Sequence, residues 1–416
     1  MEGAKRIFRV ALATALLVPL VLLMGFDGRS SRAPESAIES FAVADSGNSR
    51  VIIYDNHLST KGHAGVVLGQ SSFNQGSRNQ GSGPTANTLS GPHGITKDSA
   101  GNLYVADSAN CRVLQFHPPF TTGMSASVVI GQPGFTETRC VVQTRATSSG
   151  MDLPISVAVD HNGNLWVSDN WNSRVLEYVP PFRNGMPATL ALGQVSTGNT
   201  GANPCNRGSA APTSSTLCTP AGASFDMKGN LWVSDCVNNR VLEYTPPFST
   251  GMAASLELGQ PATMAFISNS PDNGGVSASS LFCPGAPAFD SSGNLWVADE
   301  GNNRVLEFVP PFSNGMVAST VIGQTDFTHE ERNRGGSIPD ANTLSIPMGL
   351  DFDSSGKLSV TDFNNNRVLI FAPPFHNGMN ASTVVGQEDF THKARNQGSN
   401  DPTADTFQSP VSVLTF

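Results

Sequence analysis

An all-β fold assembled from six copies of one four-stranded unit is the architecture this 416-residue sequence predicts, and three observations predict it. A template recurs six times, its Asp falling at positions 45, 107, 169, 235, 299 and 362, with spacings of 62, 62, 66, 64 and 63 residues. Each copy divides into short apolar runs punctuated by Gly, Pro and Asn, the pattern of strands joined by tight turns. Charged residues amount to only 14% beside 41 Gly and 28 Pro, and no sustained 3.6-residue apolar period follows residue 30, which argues against long helices.

Within a unit, strand A follows a Pro, as in GPHGITKD, IPMGLDFD and SPVSVLTF. An Asp-x-x-Gly turn comes next (Asp98–Gly101, Asp160–Gly163, Asp226–Gly229, Asp290–Gly293, Asp353–Gly356), in which Gly takes the left-handed conformation that closes a hairpin. Strand B is the LWVAD-type run and strand C the RVLEF-type run. Strand D is the VVIGQ-type run that ends at Gln70, Gln132, Gln194, Gln260, Gln324 and Gln387. The repeat Arg precedes that Gln by 20 residues in every unit, so the unit core has one length. Four strands repeated radially are the blades of a β-propeller. The repeats begin at a strand B (Phe41–Asp45) and end at a strand A (Ser409–Phe416), so both ends are expected to complete blade one and remove an open sheet edge. Residues 40–416 are expected to form one propeller domain.

The segments NLYVADSANCRVLQF, NLWVSDNWNSRVLEY and NLWVADEGNNRVLEF carry Gly-Asn-Leu-aromatic-Val-Ala-Asp-like starts, then Asp-x-x-Asn-x-Arg and Val-x-x-aromatic. In this the chain resembles the NHL repeat over nearly all of residues 40–416, and the resemblance implies a six-bladed propeller. It departs from the family pattern in two ways. The period of about 63 residues exceeds the usual unit, and blades two to six insert Pro-Pro-Phe-x-x-Gly-Met (Pro118–Met124, Pro180–Met186, Pro246–Met252, Pro310–Met316, Pro373–Met379) between strands C and D. Blade one reads DNHLSTKGHAG there.

Six Asp/Arg pairs (Asp45 with Arg50, Asp107 with Arg112, Asp169 with Arg174, Asp235 with Arg240, Asp299 with Arg304, Asp362 with Arg367) flank the turns from strand B to strand C. A role repeated six times around a ring reads as structural, and bidentate pairing of carboxylate and guanidinium is expected to fix each turn and its neighbouring blade. Trp166, Trp232, Trp296 and Tyr104 are expected in the blade packing. The Pro-Pro-Phe insert is expected to stiffen the strand exit and plug the gap between blades with its Phe.

The Pro opening each strand A lies 22 to 26 positions beyond the preceding strand-D Gln, so long D-to-A loops crowd one face together with the B-to-C turns. Long loops on a rigid scaffold are where binding concentrates. A hydrophobic residue three places before each Pro (Leu89, Met151, Leu217, Leu281, Leu344, Phe407) should pin the loop end. Candidate contact residues are Trp171 and Phe363, which interrupt otherwise small or polar turns, and the loop residues Arg78, Glu330, Glu331, Arg332, Arg334, His392, Lys393 and Arg395. All six cysteines map to that face. Joining each turn to the loop after its own blade pairs Cys111 with Cys140 and Cys236 with Cys283, which leaves Cys205 and Cys218 to close within one loop.

Export is the expected route. Lys5, Arg6 and Arg9 precede an apolar run from Val10 to Phe26 interrupted by Pro19, which reads as a signal sequence or signal anchor over residues 1–26, with a polar linker at 27–39. Loss of residues 1–33 would take the net charge from −9 to −12, a balance unsuited to nucleic acid.

Within the resembling group, the lyase that cleaves peptidyl-hydroxyglycine places metal-binding histidines around its central channel. The matching ring here is His93, Ile155, Ala221, Gly285, Met348 and Val411, with one His, and no nucleophile elbow, P-loop or His-Glu-x-x-His motif is present. The expectation is therefore an exported, monomeric binding or scaffold module for a protein, peptide or glycan. It needs no metal, cofactor or catalytic residue, and its candidate contacts include His93 and Met348. The alternative is a propeller lyase with a site at the channel mouth, and anchoring by the N-terminal apolar segment is a possible membrane link.

Overall fold

A computed structural model of the protein describes residues 41–54, 63–141, 146–198, 201 and 204–416. The expected signal (1–26) and linker (27–39) lie outside the described residues, as does most of the blade-one stretch that replaces Pro-Pro-Phe. Every unit forms a four-stranded antiparallel sheet in the order A, B, C, D. In blade two these are Pro92–Lys97, Leu103–Asp107, Arg112–Phe116 and Val128–Ile130. Blade one is completed by the chain end, Pro410–Thr415 pairing along Phe41–Asp45.

The core is a ring of six wedges. Each hydrophobic cluster joins two neighbouring blades, for example Trp232, Val241 and Leu258 of blade four with Leu295, Leu306 and Phe308 of blade five. One cluster joins Val368 and Ile370 of blade six to Phe41 and Ile52 of blade one, so packing reinforces the ring where the chain passes from blade six into Pro410–Thr415 of blade one. The inserted Phe residues wedge between blades as expected: Phe375 lies edge-on to Trp296 at 4.8 Å, and Phe312 to Trp232 at 4.9 Å. Each of these indoles also donates to the Asp of its own A-to-B turn, as Trp296 Nε1 does to Asp290 Oδ2 at 3.3 Å.

The repeated Asp and Arg do something different from bidentate pairing. Arg304 Nε donates to Asp299 Oδ2 at 2.8 Å, but Nη1 donates to Phe327 O (2.6 Å) and Nη2 to Ser277 O (2.9 Å) and Ser280 O (3.0 Å). Asp299 Oδ1 is occupied by the backbone N–H of Phe282 at 2.7 Å. Buried loop carbonyls and amides would otherwise lack partners, so the fork and the carboxylate divide their capacity among them. The buried pair thus latches the B-to-C turn to the D-to-A loops on both sides of its blade. Blade four adds a third charge, Glu257, whose Oε1 accepts from Arg240 Nη1 at 3.0 Å.

The loop pins are fully buried, Leu89, Met151, Leu217, Leu281, Leu344 and Phe407 each at 0% exposure. They fit because the Gly before each strand-D Gln carries no side chain. At Gly259 (φ +94°) a Cβ would stand 2.6 Å from a Leu281 methyl, and the positive φ is one an L side chain resists. The described end of each loop is therefore packed into the propeller. Among the described residues no helix is long and apolar enough to cross a membrane.

Candidate functional site

The six strands A line a central channel with a cavity of about 360 Å³. Each strand A begins with a register slip against strand B, such as that between Pro92 and Ile95 or between Pro154 and Ser156. A bulge of this kind bends the strand and re-aims the residue inside it. His93, Ile155, Ala221, Met348 and Val411 occupy these positions and line the channel. The third strand-A residue is small in every blade, and the blades approach closely there. A Cβ on Gly94 would lie 2.7 Å from Ser156 Cα.

At the sixth ring position stands Gly285, and its vacant place is taken by a side chain the repeat does not supply elsewhere. Glu300 opens the B-to-C turn of blade five, where the other blades have Ser46, Ser108, Asn170, Cys236 and Phe363. Its Oε1 lies 2.5 Å from where a Cβ on Gly285 would be, and the residue lines the channel. No hydrogen bond to its carboxyl is formed among the described residues. Burial, reinforced by the neighbouring Asp299, pushes its pKa up to about 8. Burial acts oppositely on His93, holding its imidazole down at about 4, so both groups are uncharged near neutrality. Toward the other end, Asp351 is pushed up to about 6 by burial, although Thr415 donates to its Oδ2 from both N–H and Oγ1, at 2.6 and 2.7 Å.

The rim of the mouth is asymmetric. Trp171 and Val237 occupy the same turn position in blades three and four and are 57% and 49% exposed. In blade five that position is Gly301, and the ring of Phe282 fills its space, 2.5 Å from a hypothetical Cβ, with 41% exposure. Three adjacent blades thus present an apolar arc. Blades six, one and two have Asn364, Gly47 and Ala109 there.

The NHL-repeat family model matches residues 89–116 and 151–178, the two stretches that run from the loop pin to the end of strand C in blades two and three. The chain is an NHL-repeat six-bladed propeller. No curated protein matches it in sequence. Among solved structures, it resembles a chain of the nidogen/laminin complex at 14% identity, over 90% of this chain and 97% of that one, with a TM-score of 0.50. A protein of unknown function from Bacteroides caccae matches at 11% identity, over 91% and 99%, also with a TM-score of 0.50. A catalytically inactive virginiamycin B lyase from Staphylococcus aureus, with quinupristin, matches at 12% identity over 77% and 73%, with a TM-score of 0.41. These likenesses are of fold.

The structure distributes the remaining candidate residues of this NHL-repeat propeller over separate places. Phe363 is half-buried and packs with Met348 against the cluster shared by blades one and two, so it is not an exposed anchor. Arg334 turns inward to Gly323 O and Gly378 O, both at 3.3 Å. Lys393 Nζ donates to Ser337 O at 2.5 Å and so ties two neighbouring loops. Arg332 shares a surface pocket with Lys393 and Asn364, away from the channel, and Arg395 is exposed. Arg78 and Glu330 lie on the loops, and His392 is paired with Asp389 at 2.7 Å. The three disulfides are Cys111–Cys140, Cys205–Cys218 and Cys236–Cys283, the expected pairing, and they fit an oxidising extracellular or periplasmic setting. One group of three metal-capable side chains comes together among the described residues, Cys111, Cys140 and Asp152, and its two sulfurs already form a disulfide.

Val237, Phe282 and Glu300 were not among the expected site residues. A signal existed for Val237 and Phe282, apolar residues at positions that are small or polar in most other blades, whereas Glu300 is marked only by its conjunction with Gly285, the one ring residue without a side chain.

Proposed function

We propose that the protein is an exported binding module that holds a protein, peptide or glycan on its loop-rich face, with the arc of Trp171, Val237 and Phe282 as its contact. The observation that carries this is the exposure of three large apolar side chains at equivalent places on adjacent blades. Exposed aromatic side chains on a rigid, water-excluding surface are where binding free energy concentrates. The disulfides and the latched loops support it as well. A surface ordered before binding loses little conformational entropy on association. That a chain of the same fold belongs to the nidogen/laminin complex is compatible with such a role.

The test is a peptide array and a glycan array probed with the wild-type chain and with the variant Trp171→Ala, Val237→Ser, Phe282→Ser. Ligands with apolar side chains or stacking sugar faces should be retained by the wild type and lose at least about tenfold in affinity with the variant. Equal retention by both proteins would remove this face from consideration.

A further inference from the structure

We infer that the channel mouth is a receptor for a primary ammonium group, held by the carboxylate of Glu300 among the apolar walls formed by Ile155, Ala221, Met348 and Val411. This site is separate from the rim arc, and it does not depend on the arc's being a contact surface.

Three features of the place lead to it. First, the carboxyl of Glu300 occupies the space left by Gly285 in a ring of channel-lining residues, so it faces the cavity. Second, it has no donor among the described residues, whereas the buried carboxylates of the latches are satisfied by an Arg Nε, an Asn side chain and a backbone N–H. A half-buried carboxyl that faces the cavity with no protein donor is free to accept hydrogen bonds from a ligand. Third, the surrounding donor set selects the kind of cation. Calcium takes six to eight oxygens, and magnesium demands near-octahedral oxygen geometry. The mouth offers one carboxyl. Transition-metal sites need several N or S ligands, and the ring offers His93 and the Met348 thioether. One carboxylate beside the alkyl side chains of Ile155, Ala221 and Val411 matches an ammonium carried on an aliphatic stem, and the channel cavity of about 360 Å³ has room for a side chain or a small amine.

The charged and titratable surroundings agree with it. Asp299, next to Glu300, is paired with Arg304 at 2.8 Å, and its remaining field on Glu300 is negative. His93 shares the channel in its neutral form, and Asp351, toward the other end, is bonded to Thr415, whose carbonyl accepts from Lys97 at 2.8 Å. No fixed cation faces Glu300 among the groups that line this mouth. The carboxyl is protonated in the empty protein at neutral pH. An arriving ammonium ion therefore displaces that proton to solvent.

The experiment is calorimetric titration of the full chain with n-butylammonium chloride, and with the peptide acetyl-Gly-Leu-Lys-Leu-Gly-amide beside its norleucine counterpart. Affinity for n-butylammonium should rise about tenfold per pH unit between pH 6 and pH 8 and level off above, while the amine itself stays protonated to about pH 10. Glu300→Ser, which installs the residue found at the same place in blades one and two, should lower affinity at pH 8.5 at least tenfold. Gly285→Ala, which displaces the carboxyl without removing it, should weaken binding as well. If the peptide binds tenfold more tightly than n-butylammonium and its norleucine counterpart does not bind, the ammonium comes from a partner's lysine. Comparable binding of the two identifies a free amine. The inference is overturned if neither probe binds the wild type, if Glu300→Ser binds as well as wild type, or if n-butanol or potassium ion competes equally. The rim variant Trp171→Ala, Val237→Ser, Phe282→Ser should bind n-butylammonium unchanged, so failure of the proposed binding face and failure of this site are separately visible.

Discussion

Replacing Glu300 by Ser should make the propeller more stable, and increasingly so as pH rises. In the folded chain burial lifts the Glu300 pKa from its usual 4.5 to about 8. Between those values the native state keeps a proton that the unfolded chain has already lost. Because the native state binds more protons there, stability falls as pH increases, with a limiting slope of about 1.4 kcal/mol per pH unit. Over the whole window the ceiling would be about 5 kcal/mol. Ser46 and Ser108 occupy the same turn position, so the substitution leaves the local backbone unstrained. The assay is denaturant unfolding of wild type and variant at pH 5.5, 6.5, 7.5 and 8.5, read as the difference between the two curves. Asp351 and Asp152, both lifted to about 6, are common to the two proteins and cancel in that difference. The advantage of the variant should be smallest at pH 5.5 and grow by about 3 kcal/mol by pH 8.5. Parallel curves, or a wild type that gains on the variant with pH, would refute the placement of this acid in a desolvated site.

The latches give a larger effect of opposite sign. Arg304→Lys keeps the charge but loses the fork that serves Asp299 and three loop carbonyls, and should destabilise by about 3–5 kcal/mol in the same unfolding assay; a loss below about 1 kcal/mol, typical of an exposed pair, would mean that loop carbonyls find water instead. Leu281→Ala empties the pin over Gly259 and should cost about 2–5 kcal/mol, with proteolytic nicking appearing in residues 261–283 before any other loop. Cleavage elsewhere first would show that the pin does not hold its own loop. Removing Cys236–Cys283, which spans 47 residues, should lower stability by about 4 kcal/mol, and removing Cys205–Cys218, which spans 13, by about 3 kcal/mol. Calorimetric melting of the two double-Ser variants checks the order, and the reverse order would contradict a chain-entropy origin.

The fold could be read from the sequence because every one of its demands is stated six times. An Asp-x-x-Asn-x-Arg turn, a Gly before the strand-D Gln and an apolar residue three places before each Pro are local patterns, and local patterns repeated at one period leave little freedom in topology. The disulfide pairing followed from the same regularity, since topology brings Cys236 and Cys283 to one turn and the loop after it. The geometry of the latches did not follow. A carboxylate and a guanidinium five residues apart suggest a closed pair, whereas the fork is shared out among Phe327, Ser277 and Ser280, which lie 23 to 27 residues away. Backbone carbonyls carry no sequence signature, so their claim on a side chain is invisible until the loops are placed.

The candidate site shows the same asymmetry from the other side. A residue required by the scaffold appears in every blade, so a residue that serves a ligand must appear as a departure from the template. Trp171 is such a departure, because the same turn position is small or polar in most other blades. Glu300 and Gly285 are fifteen positions apart, and neither is conspicuous alone: a Glu in a turn is ordinarily a solvated surface charge, and a Gly at a strand start is ordinarily a bend. Their meaning lies in the conjunction, since the missing side chain at one position is what allows the carboxyl from the other into the channel. Phe282 and Gly301 form a second conjunction in the same blade, a ring filling the place that Trp171 and Val237 fill from within their own turns. Blade five thus twice substitutes a side chain from elsewhere for the one its template position lacks, and both substitutions face the channel mouth. Departures that coincide in one blade and converge on one opening are better explained by a ligand than by drift of a repeat whose structural positions are otherwise kept.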